Sequence, residues 1–206
     1  MKKKGMLKFN DLAPDVELRT VDDTPFLLSS LWEGKVLLVA FIRHFGCPQC
    51  KEMLYQLEQL KPELTEKGLS LAVVTQGKPE ETKAFCDERI PGVTCLSDPE
   101  RKAYRAYGLG RGKLRQTVLS WRVMRSNSRL AKSKGWKPEL PPEGQDSFQM
   151  SGLFIIGPDG RIRLPYYYED IADHPPVELL LEGVMGISWD KDFGGPIVPD
   201  EAEGGR

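Results

Sequence analysis

Val36-Leu37-Leu38-Val39-Ala40-Phe41-Ile42-Arg43-His44-Phe45-Gly46-Cys47-Pro48-Gln49-Cys50 joins an uninterrupted apolar run to a pair of cysteines. An apolar run with no polar alternation predicts a central strand buried on both faces. The residues that follow repeat at helical spacing through Met53, Leu57, Leu60 and Leu64, with Leu54 broadening the stripe, and stop at Gly68. Pro48 falls in the first turn, where its missing N–H is harmless, while Pro62 is expected to kink or divide the helix. A strand that passes into a helix at Cys47 sets this sulfur among unsatisfied backbone N–H groups, where the helix dipole favours thiolate over thiol. Cys50 lies one turn further along the same face, within reach of an oxidised Cys47. The pattern reads as a redox-active dithiol with Cys47 as nucleophile and Cys50 as its partner.

Two plainer readings compete. A C-x-x-C is half of a zinc site, but tetrahedral zinc needs two further ligands at suitable spacing. The candidates are Cys86, Cys95, His44 and His174, and they form no second tight pair. Two inert core cysteines are the other option, yet packing alone does not call for Gly-Cys-Pro-x-Cys at a strand-to-helix junction. Cys86 and Cys95 themselves are expected to be small buried hydrophobes rather than a second redox pair. His174, in Asp173-His174-Pro175-Pro176, reads as a helix entry rather than a ligand. No metal and no organic cofactor is implied.

Outward from this centre, Ala13 to Arg19 alternates like an edge strand, and Ser29-Ser30-Leu31-Trp32 reads as a short capped turn. Leu69 to Val74 is a second buried strand. Lys78-Pro79-Glu80-Glu81 opens a helix that runs past Phe85 and Cys86 to Ile90. Val93 to Leu96 is a third strand, followed by Asp98 as the cap of a helix carrying Tyr104 and Tyr107. From Lys113 to Leu130, apolar residues including Leu114, Val118 and Trp121 recur at helical spacing, before a loop rich in Pro and Gly. Leu153 to Ile156, the turn Gly157-Pro158-Asp159-Gly160, and Arg161 to Leu164 give a hairpin signal. A last helix starts at Pro175-Pro176 and includes Val177, Leu179, Leu180, Leu181 and Val184. Strands alternating with helices predict an α/β layered sheet.

The chain has 206 residues, 40% of them hydrophobic and 29% charged, enough for one domain with a full core. The start Met1-Lys2-Lys3-Lys4 is charged like a secretory leader, but no long apolar run follows, so a cytoplasmic location is expected. No stretch approaches the roughly 20 apolar residues of a membrane span, and no membrane partner is expected. The formal net charge of −1 hides a segment from Arg101 to Lys137 with twelve Lys and Arg and no Asp or Glu. Such a block suits nucleic acid or anionic lipid, but a solvated face paired with acids elsewhere, or across a dimer contact, is the favoured reading. The acidic, Gly-rich tail from Asp200 is expected to be disordered.

The order of elements resembles the thioredoxin fold, and more narrowly the peroxiredoxin-like branch, the alkyl hydroperoxide reductase and thiol-specific antioxidant group. The resemblance is carried by Ala13-Pro14-Asp15-Val16-Glu17-Leu18, by Phe41 to Cys50, by Leu96-Ser97-Asp98-Pro99-Glu100-Arg101 with Tyr107-Gly108-Leu109, and by Gly152 to Ile162. It implies a central mixed sheet flanked by helices, with a basic helical insertion before the C-terminal hairpin. The domain reading that follows is a basic extension over 1–10, a thioredoxin-like domain over 11–186 with the insertion at 109–147, and a tail over 187–206. This sequence departs from the family pattern where a proline and a threonine or serine usually precede the reactive cysteine. Ala40 and His44 stand there. The family's usual arginine before the hairpin is replaced by Gln149-Met150-Ser151, which leaves Arg43 to supply charge from another direction. His44 is a candidate hydrogen-bonding or proton-shuttling group. The resemblance implies reduction of hydroperoxides through Cys47 with Cys50 resolving, served by a thioredoxin- or glutathione-type electron donor. The alternatives are a thioredoxin-like disulfide reductase and a non-catalytic binding protein using the basic 101–137 segment. A homodimer remains open, as does whether the insertion covers the dithiol.

Overall fold

The computed structural model describes residues 5–183 together with Trp189. In chain order its elements are β1 (Glu17–Thr20), β2 (Pro25–Leu27), β3 (Val36–Phe41), α1 (Pro48–Glu66), β4 (Leu69–Thr75), α2 (Pro79–Arg89), β5 (Thr94–Ser97), α3 (Lys102–Ala106), α4 (Trp121–Lys134), β6 (Gly152–Ile156), β7 (Ile162–Tyr167) and α5 (Val177–Glu182). The strands form one seven-stranded sheet in the order β2-β1-β5-β4-β3-β6-β7. β3, β4 and β5 run parallel, and β6 returns antiparallel to β3. This is the α/β mixed sheet that the sequence implies.

Every residue of β3 is buried, and the strand's two-residue period divides the interior. Leu38 and Ala40 face one core with Met53, Leu54 and Leu57 of α1, Phe85 of α2 and Val123 of α4. Leu37, Val39 and Phe41 face the other, with Leu28, Trp32, Tyr104 and Tyr107. There the Phe41 ring lies 5.2 Å from Tyr104, 5.0 Å from Tyr107 and 5.7 Å from Phe154, in edge-on or tilted contacts. The Tyr104 hydroxyl donates to the carbonyls of Ile42 at 2.6 Å and Val74 at 3.0 Å. That contact pins the end of β3 where the dithiol loop begins.

The remaining elements follow local chemistry, with four corrections. Asp98 caps α3 as expected, accepting from the N–H groups of Lys102 and Ala103 at 2.8 Å each. The β6–β7 hairpin closes through Gly160 at φ +73°, a conformation that suits glycine. α1, however, runs unbroken through Pro62. Pro62 faces solvent, so water replaces the bond its ring removes, while Leu57 and Leu64 on either side stay locked in the core. β1 is not at the edge, because β2 pairs along its outer side from Glu17–Leu27 to Arg19–Pro25. The stretch from Lys113 to Leu130 is not one helix. A π-helical turn at Arg115–Leu119 and then α4 are separated by extended backbone at Ser120, and Leu114, Val118 and Trp121 are exposed. Cys86 and Cys95 are not separate thiols. α2 packs beside β5 with these Cα atoms 6.7 Å apart, and the two residues form a disulfide. Val184 and the tail from Asp200 lie outside the described residues.

Acids answer part of the basic segment. Arg101 and Arg111 both pair with Asp146, Arg122 with Asp170 and Asp173, and Arg129 with Glu52. These contacts draw the 109–147 segment back across the C-terminal end of β3.

Candidate active site

Beyond Phe41 the chain continues one step beside β4, with the Ile42 N–H on the Val74 carbonyl at 3.1 Å, and then leaves the sheet as Arg43-His44-Phe45-Gly46. Cys47 is the N-cap of α1 in extended backbone, with Pro48 in the first turn. Its N–H closes a tight turn onto the His44 carbonyl at 3.1 Å. Both sulfurs are nearly enclosed, Cys47 being 1% and Cys50 2% exposed.

The decisive neighbour is Arg43, itself only 4% exposed. Its Nη1 donates to Cys47 Sγ at 3.1 Å, and its Nε to the Gln149 carbonyl at 2.9 Å. Its Nη2 donates to the Ser147 carbonyl. Two carbonyls thus fix the guanidinium plane and leave the sulfur as the group positioned to answer its charge. A buried cation needs a counter-charge, and an ionised Cys47 provides it. Burial raises the Cys47 pKa, but the Cys50 hydrogen bond, the Arg43 charge and the N–H groups of Cys50 and Gln49 together bring it down to about 6. Burial and the neighbouring Cys47 push Cys50 well above the ordinary thiol range. The Arg43 N–H reaches Cys50 Sγ at 3.3 Å. One sulfur therefore carries charge at neutral pH and the other keeps its proton.

His44 is 6% exposed and leaves Nδ1 without a hydrogen bond. Burial first, then the charge of Arg43, lower its pKa to about 4. Its ring is therefore neutral at pH 7.

A second layer holds the loop. The Gln76 amide donates to the Arg43 carbonyl and accepts from the Asp146 N–H at 2.9 Å, and the Phe45 N–H donates to Gln145 Oε1 at 3.1 Å. The Phe45 ring stacks on Phe85 with centroids 4.2 Å apart. The segment around Pro138 to Pro142 crosses the loop as a strap. The Glu139 N–H meets the Gly46 carbonyl at 3.0 Å, and a Cβ at Gly46 would lie 2.6 Å from the Glu139 carbonyl oxygen, so only glycine fits there. Beneath the strap lies a cavity of about 240 Å³ whose wall includes Arg43, Cys47, Val118, Leu140, Phe148 and Ile171. Leu140 is 91% exposed, so the cavity meets solvent at this rim. The insertion therefore roofs the dithiol, and a reactant still has a way in.

Residues 9–164 match the AhpC/TSA family. The chain belongs to the AhpC/TSA family. Among its relatives, the bovine (Bos taurus) protein named peroxiredoxin-like 2C is 28% identical over 90% of this chain and 86% of its own. The salmon (Salmo salar) prostamide/prostaglandin F synthase is 26% identical over 78% of this chain and 80% of its own. In three dimensions the AhpC/TSA domain is similar to a peroxiredoxin-like protein from Aquifex aeolicus, with a TM-score of 0.61 and 18% identity over 87% of this chain and 86% of that one.

Within this AhpC/TSA framework, sequence reading brings together Cys47, Cys50, Arg43 and His44 as the structure does, because they share one loop. It misses Gln76 and the carbonyls of Ser147 and Gln149. No signal marks them, since a backbone carbonyl has the same chemistry in every residue. Cys86 and Cys95, being bonded to each other, are not available to complete a zinc set with the dithiol.

Proposed function

We propose that the protein reduces hydroperoxides through Cys47, with Cys50 as the resolving thiol. The observation that carries this reading is the contact of the Arg43 guanidinium with Cys47 Sγ at 3.1 Å, inside a cavity that a small reactant can enter. The Cys47 thiolate attacks the terminal oxygen of R–O–O–H. The O–O bond breaks, Cys47 becomes a sulfenic acid, and R–O⁻ takes a proton from water to leave as an alcohol. Cys50 then gives up its proton as its sulfur displaces hydroxide from Cys47, which forms the disulfide and releases water. Two thiol equivalents from a thioredoxin- or glutathione-type donor restore the dithiol. Arg43 holds the thiolate and faces the incoming peroxide oxygens. Neutral His44 forms part of the wall beside them, where the family's hydroxyl usually stands.

Reduction of protein disulfides is the second reading, favoured by a low-pKa cysteine at the start of a C-x-x-C helix. The strap over Gly46 and the near-complete enclosure of both sulfurs weigh against a macromolecular substrate. Stopped-flow peroxide consumption run beside insulin reduction separates the two. The proposal expects fast peroxide decay and an intact mass lower by two hydrogens, mapped to the Cys47–Cys50 peptide. The Cys50→Ser variant is expected to react once and then stall as sulfenic or sulfinic acid. Fast insulin reduction with no peroxide decay would replace the peroxidase with the reductase.

A further inference from the structure

Beside the cavity lies a face that neither the core nor the redox chemistry uses. Leu114, Val118 and Leu119 at the π-helical turn, and Trp121 and Met124 at the start of α4, present apolar surface to solvent, with Trp121 75% exposed. Val123 and Leu130 hold α4 to the protein, which sets Trp121, Arg125 and Lys132 on its outward side at helical spacing. Arg101, Arg111, Arg122 and Arg129 are engaged by acids. Lys113, Arg115, Arg125 and Lys132 are exposed and make no ion pair among the described residues.

An aliphatic ridge with one tryptophan, flanked by unanswered cations, has the composition of a surface that settles into the headgroup layer of an anionic bilayer. Nucleic acid would satisfy the cations, but it meets Trp121 alone among aliphatic side chains, with no row of rings on which bases stack. A second copy of the chain, docked face to face, would bring these same cations against each other. No helix among the described residues is long and apolar enough to cross a membrane, and peripheral contact needs none.

We propose that the face spanning residues 113–132 is a peripheral docking surface for an anionic lipid bilayer. Val118 belongs both to this ridge and to the wall of the Cys47 cavity, and Leu140 overhangs the cavity as well. Docking along the ridge sets the cavity mouth against the acyl-chain boundary, so a hydroperoxide on a lipid chain enters without crossing water. Docking stands independently of the redox chemistry, whereas delivery of a lipid hydroperoxide rests on the function proposed above. The step is the same one, with the lipid released as its alcohol.

Co-sedimentation of the full chain with vesicles of phosphatidylcholine, alone or with about 30% phosphatidylserine, tests the docking. The expected result is at least about tenfold more protein on the anionic vesicles at low salt, with most of it released near 0.5 M sodium chloride. Leu119→Asp/Trp121→Ser and Arg115→Glu/Arg125→Glu each lose this binding while consuming hydrogen peroxide at the parent rate, which shows that the fold is intact. Cys47→Ser binds like the parent. Equal or absent binding to both vesicle types overturns the proposal, as does unchanged binding after charge reversal. So does salt-sensitive capture on RNA, or a concentration-dependent dimer, in place of vesicle binding. Vesicle binding without peroxide consumption leaves docking in place and removes the peroxidase reading.

Discussion

The protein carries two cysteine pairs on the same side of its sheet, and they differ in everything except burial. Cys47, Cys50, Cys86 and Cys95 all belong to one core and none is more than 5% exposed. Cys86 and Cys95 bridge α2 and β5 as a closed disulfide, and Phe85 and Ile90, near them in the chain, belong to the same core. Cys47 and Cys50 sit at the start of α1 as free thiols, with a guanidinium on one sulfur and space beside it. Exposure therefore does not distinguish the thiol pair proposed to react from the bonded pair. A positioned cation, backbone donors and an adjacent cavity do.

This contrast is open to test in four steps. Cys47→Ser is expected to abolish peroxide consumption, while Cys86→Ser/Cys95→Ser keeps it; loss in both, or in neither, erases the distinction. Arg43→Met removes the charge and lets Cys47 rise toward the ordinary thiol pKa of about 8.5, so its thiolate fraction at pH 7 falls by roughly thirtyfold. Rate constants for peroxide decay at pH 7 and pH 9 report this, since the defect shrinks at the higher pH if lost ionisation is its cause. Cys86→Ser/Cys95→Ser opens a disulfide of sequence separation 9, for which loop-closure entropy gives a loss of about 2–3 kcal/mol in urea unfolding. A stability unchanged by that double variant would make the second pair as dispensable to folding as the first. The smallest effect is expected from His44→Asn. His44 is neutral well above a pKa of about 4, so the loss of rate below pH 6 stays where it is. A displaced acidic limb would make histidine, rather than the thiol, the titrating group.

What the sequence disclosed follows from how local each feature is. β3, the β6–β7 hairpin, the Asp98 cap and the Cys47–Cys50 loop are written in contiguous residues, so period and spacing suffice to find them. Arg43 was legible as a charge near the sulfur because it stands four residues away on the same loop. Its clamp was not, because Ser147 and Gln149 contribute carbonyls from the far end of the insertion, and Gln76 contributes an amide from the end of β4. Pro62 misled because its cost depends on whether water can reach the broken bond. Leu114, Val118 and Trp121 read as one face of a helix, yet the backbone breaks at Ser120 and leaves them in solvent, on the surface proposed for docking. The Cys86–Cys95 disulfide depends on α2 lying against β5, a tertiary fact that spacing does not contain.

Cys47 is ionised at neutral pH because a buried arginine has it as counter-charge. Ultraviolet titration of thiolate absorbance in the protein with Cys47 and Cys50 reduced tests this, with Cys47→Ser as the reference. One thiolate is expected to appear with a midpoint near pH 6 and to be missing from Cys47→Ser. A first transition only at the pH of an ordinary thiol, about 8.5, would contradict it.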